Sequence, residues 1–473
     1  MLIGLFLGSG LNQLQARDGY EISVSIDDFN QDKLILGYYM GSRQYVVDTA
    51  YRNADDAFVF EGDSSLDGGV YLVILPPKNE YFHLLINPDE QHFSVQTKQS
   101  ALLNSLEVSG SSENDLYYEY LRFINTRMAE RGKLEATMKS ADEKKKAKAS
   151  EKLVELHKEV LDHQKGLIEK RPKSMTALLL LGSQEITIPD PPAKADEQEQ
   201  QLFRFKYYRQ HFFKNLDLND ERIVRTPYLY GKVMTYLDQL TSQDGDSLNT
   251  AIDYLFKLFG DNEAAQKFYL PELVNKYAKS DVVGMDKVYV HLIDQYYVEG
   301  KVPWASEKDL KQLQKAASKM RPTLIGKKAP NINVFDPYKQ SINLHKIEAK
   351  YILLYFWSPD CGHCKKKIPV LRDMYMEKLL PLGVKVVAVC SKTYKDEKAC
   401  WDFVKDKKMN NFLNVWDPYY RSKFKILYNI EQTPKLFLLD KNKNIISKQI
   451  DVTQVIEVIE MHELKQKGLP NRK

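Results

Sequence analysis

Cysteine is scarce in this chain: four residues in 473, at positions 361, 364, 390 and 400. A disulfide scaffold is excluded, and everything before Cys361 must fold by burial alone. An excess of one charge is lacking too. Lys and Arg total 68 against 64 Asp and Glu, a formal +4 that is too near balance to argue for a nucleic-acid or acidic-membrane partner. A span-length apolar run is also missing, since a transmembrane helix needs about 20 apolar residues. The composition is 43% apolar and 28% charged, which excludes wholesale disorder and collagen-like repeats. At roughly 150 residues per domain, the length corresponds to about three domains.

The most apolar stretch is Met1 to Leu11, followed by Gln13-Leu14-Gln15-Ala16 with a small residue at its end. This has the look of a secretory h-region and cleavage site. Residues 1–16 are therefore read as a signal peptide. That predicts export to the periplasm or cell envelope, with no stable membrane span after removal. No Lys or Arg precedes the run, so the basic n-region is missing; the alternative is a buried first strand. No cysteine closely follows it, which argues against a lipid anchor.

From Tyr20 to Val95 apolar and polar residues alternate, as in Tyr20, Ile22, Val24 and Ile26, with turn signals at Asp67-Gly68-Gly69, Pro76-Pro77 and Asn87-Pro88. Residues 17–110 are read as a small antiparallel β-sandwich or barrel. After Gly110 the spacing turns helical to about Met320. Leu153, Leu156, Val160 and Leu167 share one helix face, and Ile188-Pro189-Asp190-Pro191-Pro192 breaks the pattern. Residues 111–320 are read as an all-α domain without a fixed repeat. Beyond Arg321-Pro322, strand-like and helical stretches alternate, which predicts an α/β layer with helices on both faces over residues 321–473.

All four cysteines lie in that last part. Cys361-Gly362-His363-Cys364 follows the apolar strand Tyr351–Trp357 and opens a helix through Ile368, Leu371 and Tyr375. A first cysteine at a helix N-terminus sits where backbone N–H groups favour an anion, so Cys361 is the expected nucleophile. Cys364, one turn deeper, is placed to resolve the mixed disulfide. His363, when protonated, would stabilise the neighbouring thiolate. Lys365, Lys366 and Lys367 either favour that thiolate or form a solvated surface run. Half a zinc site is the competing reading, but Cys390 and Cys400 are ten apart and supply no second C-x-x-C. Those two either bridge in an oxidising compartment or stay free and buried. The remaining histidines, such as His83, His157, His163 and His211, lack metal-ligand spacing, and no phosphate-binding glycine loop or G-x-S-x-G occurs. No cofactor or metal is expected.

The run Phe356-Trp357-Ser358-Pro359-Asp360-Cys361-Gly362-His363-Cys364 resembles the active-site segment of the thioredoxin superfamily. Pro369 matches the proline that kinks that family's helix, and Thr433-Pro434 before Lys435–Asp440 resembles its cis-proline loop. The resemblance implies a cis Thr433–Pro434 bond beside the cysteines that presents backbone to a substrate chain, with Trp357 as core or active-site wall. Residues from about Thr323 on are similar to TlpA/ResA-like envelope thiol–disulfide oxidoreductases, with Asn331–Leu344 supplying their N-terminal hairpin. The preceding parts resemble the sandwich and helical modules of Bacteroidota envelope proteins. Two departures stand out: Tyr355 occupies the place of thioredoxin's buried acid, and Lys367 that of a TlpA-like glutamate.

The expected activity is thiol–disulfide exchange through Cys361, Cys364 and His363, with Thr433, Pro434 and Trp357 at the substrate. Its expected partners are protein thiols or disulfides and a redox partner. His363 argues for the oxidising or isomerising side and the family resemblance for reduction, so direction stays open. The alternative is a non-catalytic envelope binding or scaffold protein with an auxiliary redox domain. A peroxide reductase is disfavoured, because Pro359 and Cys361 do not form the P-x-x-x-T-x-x-C arrangement.

Overall fold

The computed structural model describes residues 19–140, 142–298 and 300–467. The expected leader at 1–16 lies outside the described residues. The chain divides into two compact units, the first running to Leu240 and including Leu255–Gln266, the second comprising Thr241–Tyr254 and the chain from Lys267 on.

The first unit opens with β1 (Tyr20–Asp27), β2 (Lys33–Met40), β3 (Arg43–Tyr51), β4 (Phe58–Gly62), β5 (Gly69–Leu75), β6 (Glu80–Ile86), β7 (His92–Lys98) and β8 (Glu107–Ser109). They form two four-stranded sheets, ordered β4-β1-β7-β8 and β3-β2-β5-β6. Period-two alternation sends Ile22, Val24 and Ile26 of β1 into one core with Phe58, Phe60 and Phe93. The pairing is antiparallel except that β1 runs parallel to β7. Strands β2 to β6 intervene between them, so no hairpin fixes their relative direction.

Helices α1 (Ser112–Met138), α2 (Glu143–Lys170), α3 (Met175–Ser183), α4 (Glu197–His211) and α5 (Leu229–Asp238) follow. The first three start on the side-chain caps Ser111, Asp142 and Ser174, which satisfy N–H groups that the first turn leaves open. Helix α2 buries Leu156 and Leu167 of the expected face, and its His163 stacks on Phe123 of α1 with ring centroids 3.8 Å apart. Asn114, fully buried, both donates to and accepts from the backbone of Leu85, at 2.8 Å each way, which ties α1 to β6. The neighbouring Glu113 accepts the N–H groups of Met175 and Thr176 at 3.0 and 2.9 Å, at the start of α3. Glu113→Ala would leave these donors buried and unpaired. It is expected to destabilise this unit by about 2–3 kcal/mol, read as an earlier urea transition.

Next come α6 (Gly245–Phe259), α7 (Glu263–Ala278), α8 (Asp286–Gln295) and α9 (Glu307–Met320). The last part of the chain builds a seven-stranded sheet from β9 (Asn333–Phe335), β10 (Ser341–Asn343), β11 (Tyr351–Trp357), β12 (Val384–Cys390), β13 (Leu413–Trp416), β14 (Lys435–Asp440) and β15 (Ile445–Lys448). Its order is β10-β9-β13-β12-β11-β14-β15, with β9 and β10 as the expected N-terminal hairpin. Every residue of β11 is buried, as a strand covered on both faces requires. One face, with Leu353, Tyr355 and Trp357, packs on α10 (Gly362–Met374), α11 (Glu397–Asp406) and α13 (Val455–Gln466). The other, with Ile352, Leu354 and Phe356, is covered by the single-turn α12 (Phe424–Leu427) and by coil. Helices thus lie on both faces, as strand–helix alternation predicts, with the three long ones on one face and a single turn on the other. No helix among the described residues is long and apolar enough to cross a membrane.

Candidate active site

The parallel pair β11 and β12 ends at Trp357 and Cys390, and the chain leaving β11 turns directly into α10. Cys361 is the N-cap of that helix, and its sulfur accepts the Cys364 N–H at 3.2 Å. From 72 positions away Thr433 reaches the same sulfur: the Cys361 thiol donates to its carbonyl at 3.0 Å. The Thr433–Pro434 bond is cis, and the loop that carries it lies against the first turn of α10.

The two sulfurs are unlike. Cys361 is partly exposed; burial pushes its thiol up, but hydrogen bonds that its sulfur receives from the Cys364 thiol, the Thr433 hydroxyl and the N–H groups of Cys364 and His363 outweigh it. The net direction is below an ordinary thiol. Cys364 is fully buried, and that burial together with its hydrogen bond to Cys361 pushes it up to about 12. Both are free thiols. A negative charge on the outer sulfur further disfavours ionising the inner one.

Cys361 opens on a cavity of 630 Å³ shared with Asp360, Lys392 and Thr433. On the other side of the loop a cavity of 480 Å³ is lined by Tyr355, Lys367, Pro434 and Asp451. His363 is exposed and lines both. Lys365 and Lys366 are exposed, whereas Lys367 forms an ion pair with Asp451. Asp360 accepts from Lys392 at 2.6 Å, and this hydrogen bond holds its carboxyl below the usual range. The Tyr355 hydroxyl is buried without a hydrogen-bond partner among the described residues. A carboxylate therefore does reach this neighbourhood, although neither familiar position carries one. Asp451 comes from the turn before α13, and sequence reasoning did not single it out. Its local pattern, Asp451-Val452-Thr453, signals a helix cap and says nothing of a partner 84 positions earlier.

Trp357 is placed differently from its expected role at the substrate. It is fully buried, with its ring stacked on Phe403 at a centroid distance of 4.8 Å, so it packs beneath the site and presents no face to a bound chain. A strand terminus rich in aromatics suits a core or a wall equally, and only burial separates the two. Cys390 and Cys400, which the sequence left either bridged or free, form a disulfide across ten positions between β12 and α11. Cross-linking a loop of that length removes about 3 kcal/mol of unfolded-chain entropy. Cys390→Ala with Cys400→Ala is expected to lower stability by about 2–4 kcal/mol in urea unfolding, with Cys361 and Cys364 still oxidisable.

Residues 325–448 match the AhpC/TSA family, residues 20–117 a domain of unknown function (DUF4369) and residues 135–325 a second one (DUF5106). The thiol–disulfide oxidoreductase ResA of Bacillus cereus is 31% identical over 126 residues, which cover 27% of this chain and 69% of that protein. Among solved structures, a domain of a possible thiol-disulfide isomerase from Cytophaga hutchinsonii is 36% identical, covering 31% of this chain and 97% of that one with a TM-score of 0.29. A thioredoxin-like protein from Bacteroides caccae is 19% identical over 59% of this chain and 99% of that one, with a TM-score of 0.43. With its free cysteine pair at the head of α10 and this kinship, the chain belongs to the ResA-like thiol–disulfide oxidoreductases of the thioredoxin superfamily.

Proposed function

We propose that Cys361 and Cys364 exchange electrons with protein thiols and disulfides in the cell envelope. The Cys361 thiolate attacks one sulfur of a client disulfide. A mixed disulfide forms, and the client's other sulfur leaves as a thiolate that takes up a proton. Cys364 then gives up its proton and attacks the Cys361 sulfur, expelling the second client sulfur, which is protonated in turn. Two electrons pass to the client, and the pair is left as a disulfide for a redox partner to reduce. The reverse sequence oxidises a client dithiol.

The observation that carries this reading is the asymmetry of the sulfurs: a partly exposed one capping α10 with a lowered pKa, and a buried one raised to about 12. The half-buried cis-proline loop at Thr433 and Pro434, set beside Cys361, suits docking of an extended client chain. His363, exposed beside Cys361, suits a tuning role through its charge. Envelope location is supported by the leader-like start of the sequence and by the buried Cys390–Cys400 disulfide, a bond that persists in oxidising compartments.

The test is a trap. Without Cys364 the mixed disulfide cannot resolve, so Cys364→Ser incubated with envelope extract should accumulate covalent adducts that dithiothreitol releases. Cys361→Ser should accumulate none. Equal adduct yields from both variants would remove Cys361 as the attacking sulfur, and adducts from neither would remove protein clients.

A further inference from the structure

The cavity beside His363 and Pro434 does not end at the redox site. A second cavity of 440 Å³ is lined by Ser280 to Gly284 beyond α7, by Lys319 and Met320 at the end of α9, and by Lys448 of β15. Asn429, Lys435 and Gln449 line both cavities. All of these residues belong to the second unit, so one surface leads from the cis-proline onto the helical segment.

The charges along it do not cancel locally. Lys319 is paired with Glu431 at 2.6 Å, and Lys448, almost fully buried, is paired with Asp286 and donates to the Thr323 carbonyl at 2.7 Å. Lys435, the residue after the cis-proline, is left over. It is half-buried, its ammonium donates to the Asn429 carbonyl at 2.6 Å, and among the described residues it has no carboxylate within ion-pair distance. Burial and the charge of Lys448 hold its pKa below the usual value, against partial compensation from Glu431 and Asp286. Asp281 stands exposed at the rim of the second cavity. A partly desolvated cation without a counter-ion is unfavourable, and an incoming anion relieves it.

Resting on the exchange function above, we propose that Lys435 recognises an acidic side chain of the client, an Asp or Glu a few residues from the reacting cysteine, and that the helical segment from Ser280 to Met320 forms the far wall of the client groove. The redox pair supplies the chemistry, and this junction supplies the selection.

The experiment uses the full chain and a series of synthetic disulfide peptides, each with Glu or Gln at one position flanking the cysteine, and reads kcat/KM for each. The best Glu peptide should exceed its Gln partner by about tenfold, the worth of one charge-assisted contact, and the difference should sit in KM. Lys435→Gln keeps a donor for the Asn429 carbonyl but no charge, so the ratio should fall to about one; Lys435→Arg should retain it. A merely structural Lys435 would leave the ratio intact in Lys435→Gln, which overturns the proposal. A wild-type ratio of one overturns it as well, whatever the variants do. Exchange with no peptide at all would instead remove the function on which it rests.

Discussion

Cys361→Ser is expected to lose thiol–disulfide exchange by at least about a thousandfold while keeping its fold. The loss follows from ionisation and nucleophilicity: a serine hydroxyl in the same place carries almost no anion at neutral pH, and removing a nucleophile from a coupled pair forfeits most of the rate by itself. The retained fold follows from the position. Cys361 caps α10 by accepting the Cys364 N–H, and serine is among the residues that fill an N-cap best. Insulin reduction and thermal unfolding measured on the same preparation separate the two effects. Activity within tenfold of wild type would mean that another group attacks.

How much of this site could be read from the sequence depends on whether its signals are local. The strand Tyr351–Trp357, the cysteine at the cap and Pro369 one turn beyond Cys364 lie within twenty residues of one another, and all fall where the pattern places them. The cis bond at Thr433 was legible only through family resemblance, because the dipeptide itself is ambiguous. Asp451 was illegible. Its partner Lys367 lies across the fold, and nothing in a capping pattern points there. The same division runs through the sandwich. Strand β1 announces itself by alternating burial, whereas β3, from Arg43 to Tyr51, is largely exposed along a sheet edge and shows no such period. The parallel pairing of β1 with β7 depends on the path of the intervening strands, which no short window contains. The bridge between Cys390 and Cys400 was undecidable for a related reason: a spacing of ten fits both outcomes, and only the packing of β12 against α11 brings the sulfurs together.

At pH 7 a brief iodoacetamide pulse on the reduced protein should alkylate Cys361 and leave Cys364 unmodified, a contrast expected to exceed about a thousandfold in rate. Burial and the hydrogen bond to Cys361 push the Cys364 thiol up to about 12, so at that pH it stays protonated, and full burial shields it from the reagent. Cys361 behaves in the opposite sense. Its hydrogen bonds stabilise the anion, so its alkylation rate should rise with pH through a midpoint below the roughly 8.5 of a free thiol, then level off where an unperturbed cysteine would still be gaining. In Cys364→Ser the thiol that donates to that sulfur is replaced by a hydroxyl able to do the same, so the midpoint should move little. In Cys364→Ala the donor is gone, and the midpoint should move up toward the free value. Tandem mass spectrometry of the peptide that carries positions 361 and 364 reads all three proteins. Equal labelling of Cys361 and Cys364 in the wild type would show that the inner sulfur is neither buried nor raised, and the division of labour between attack and resolution would fall with it.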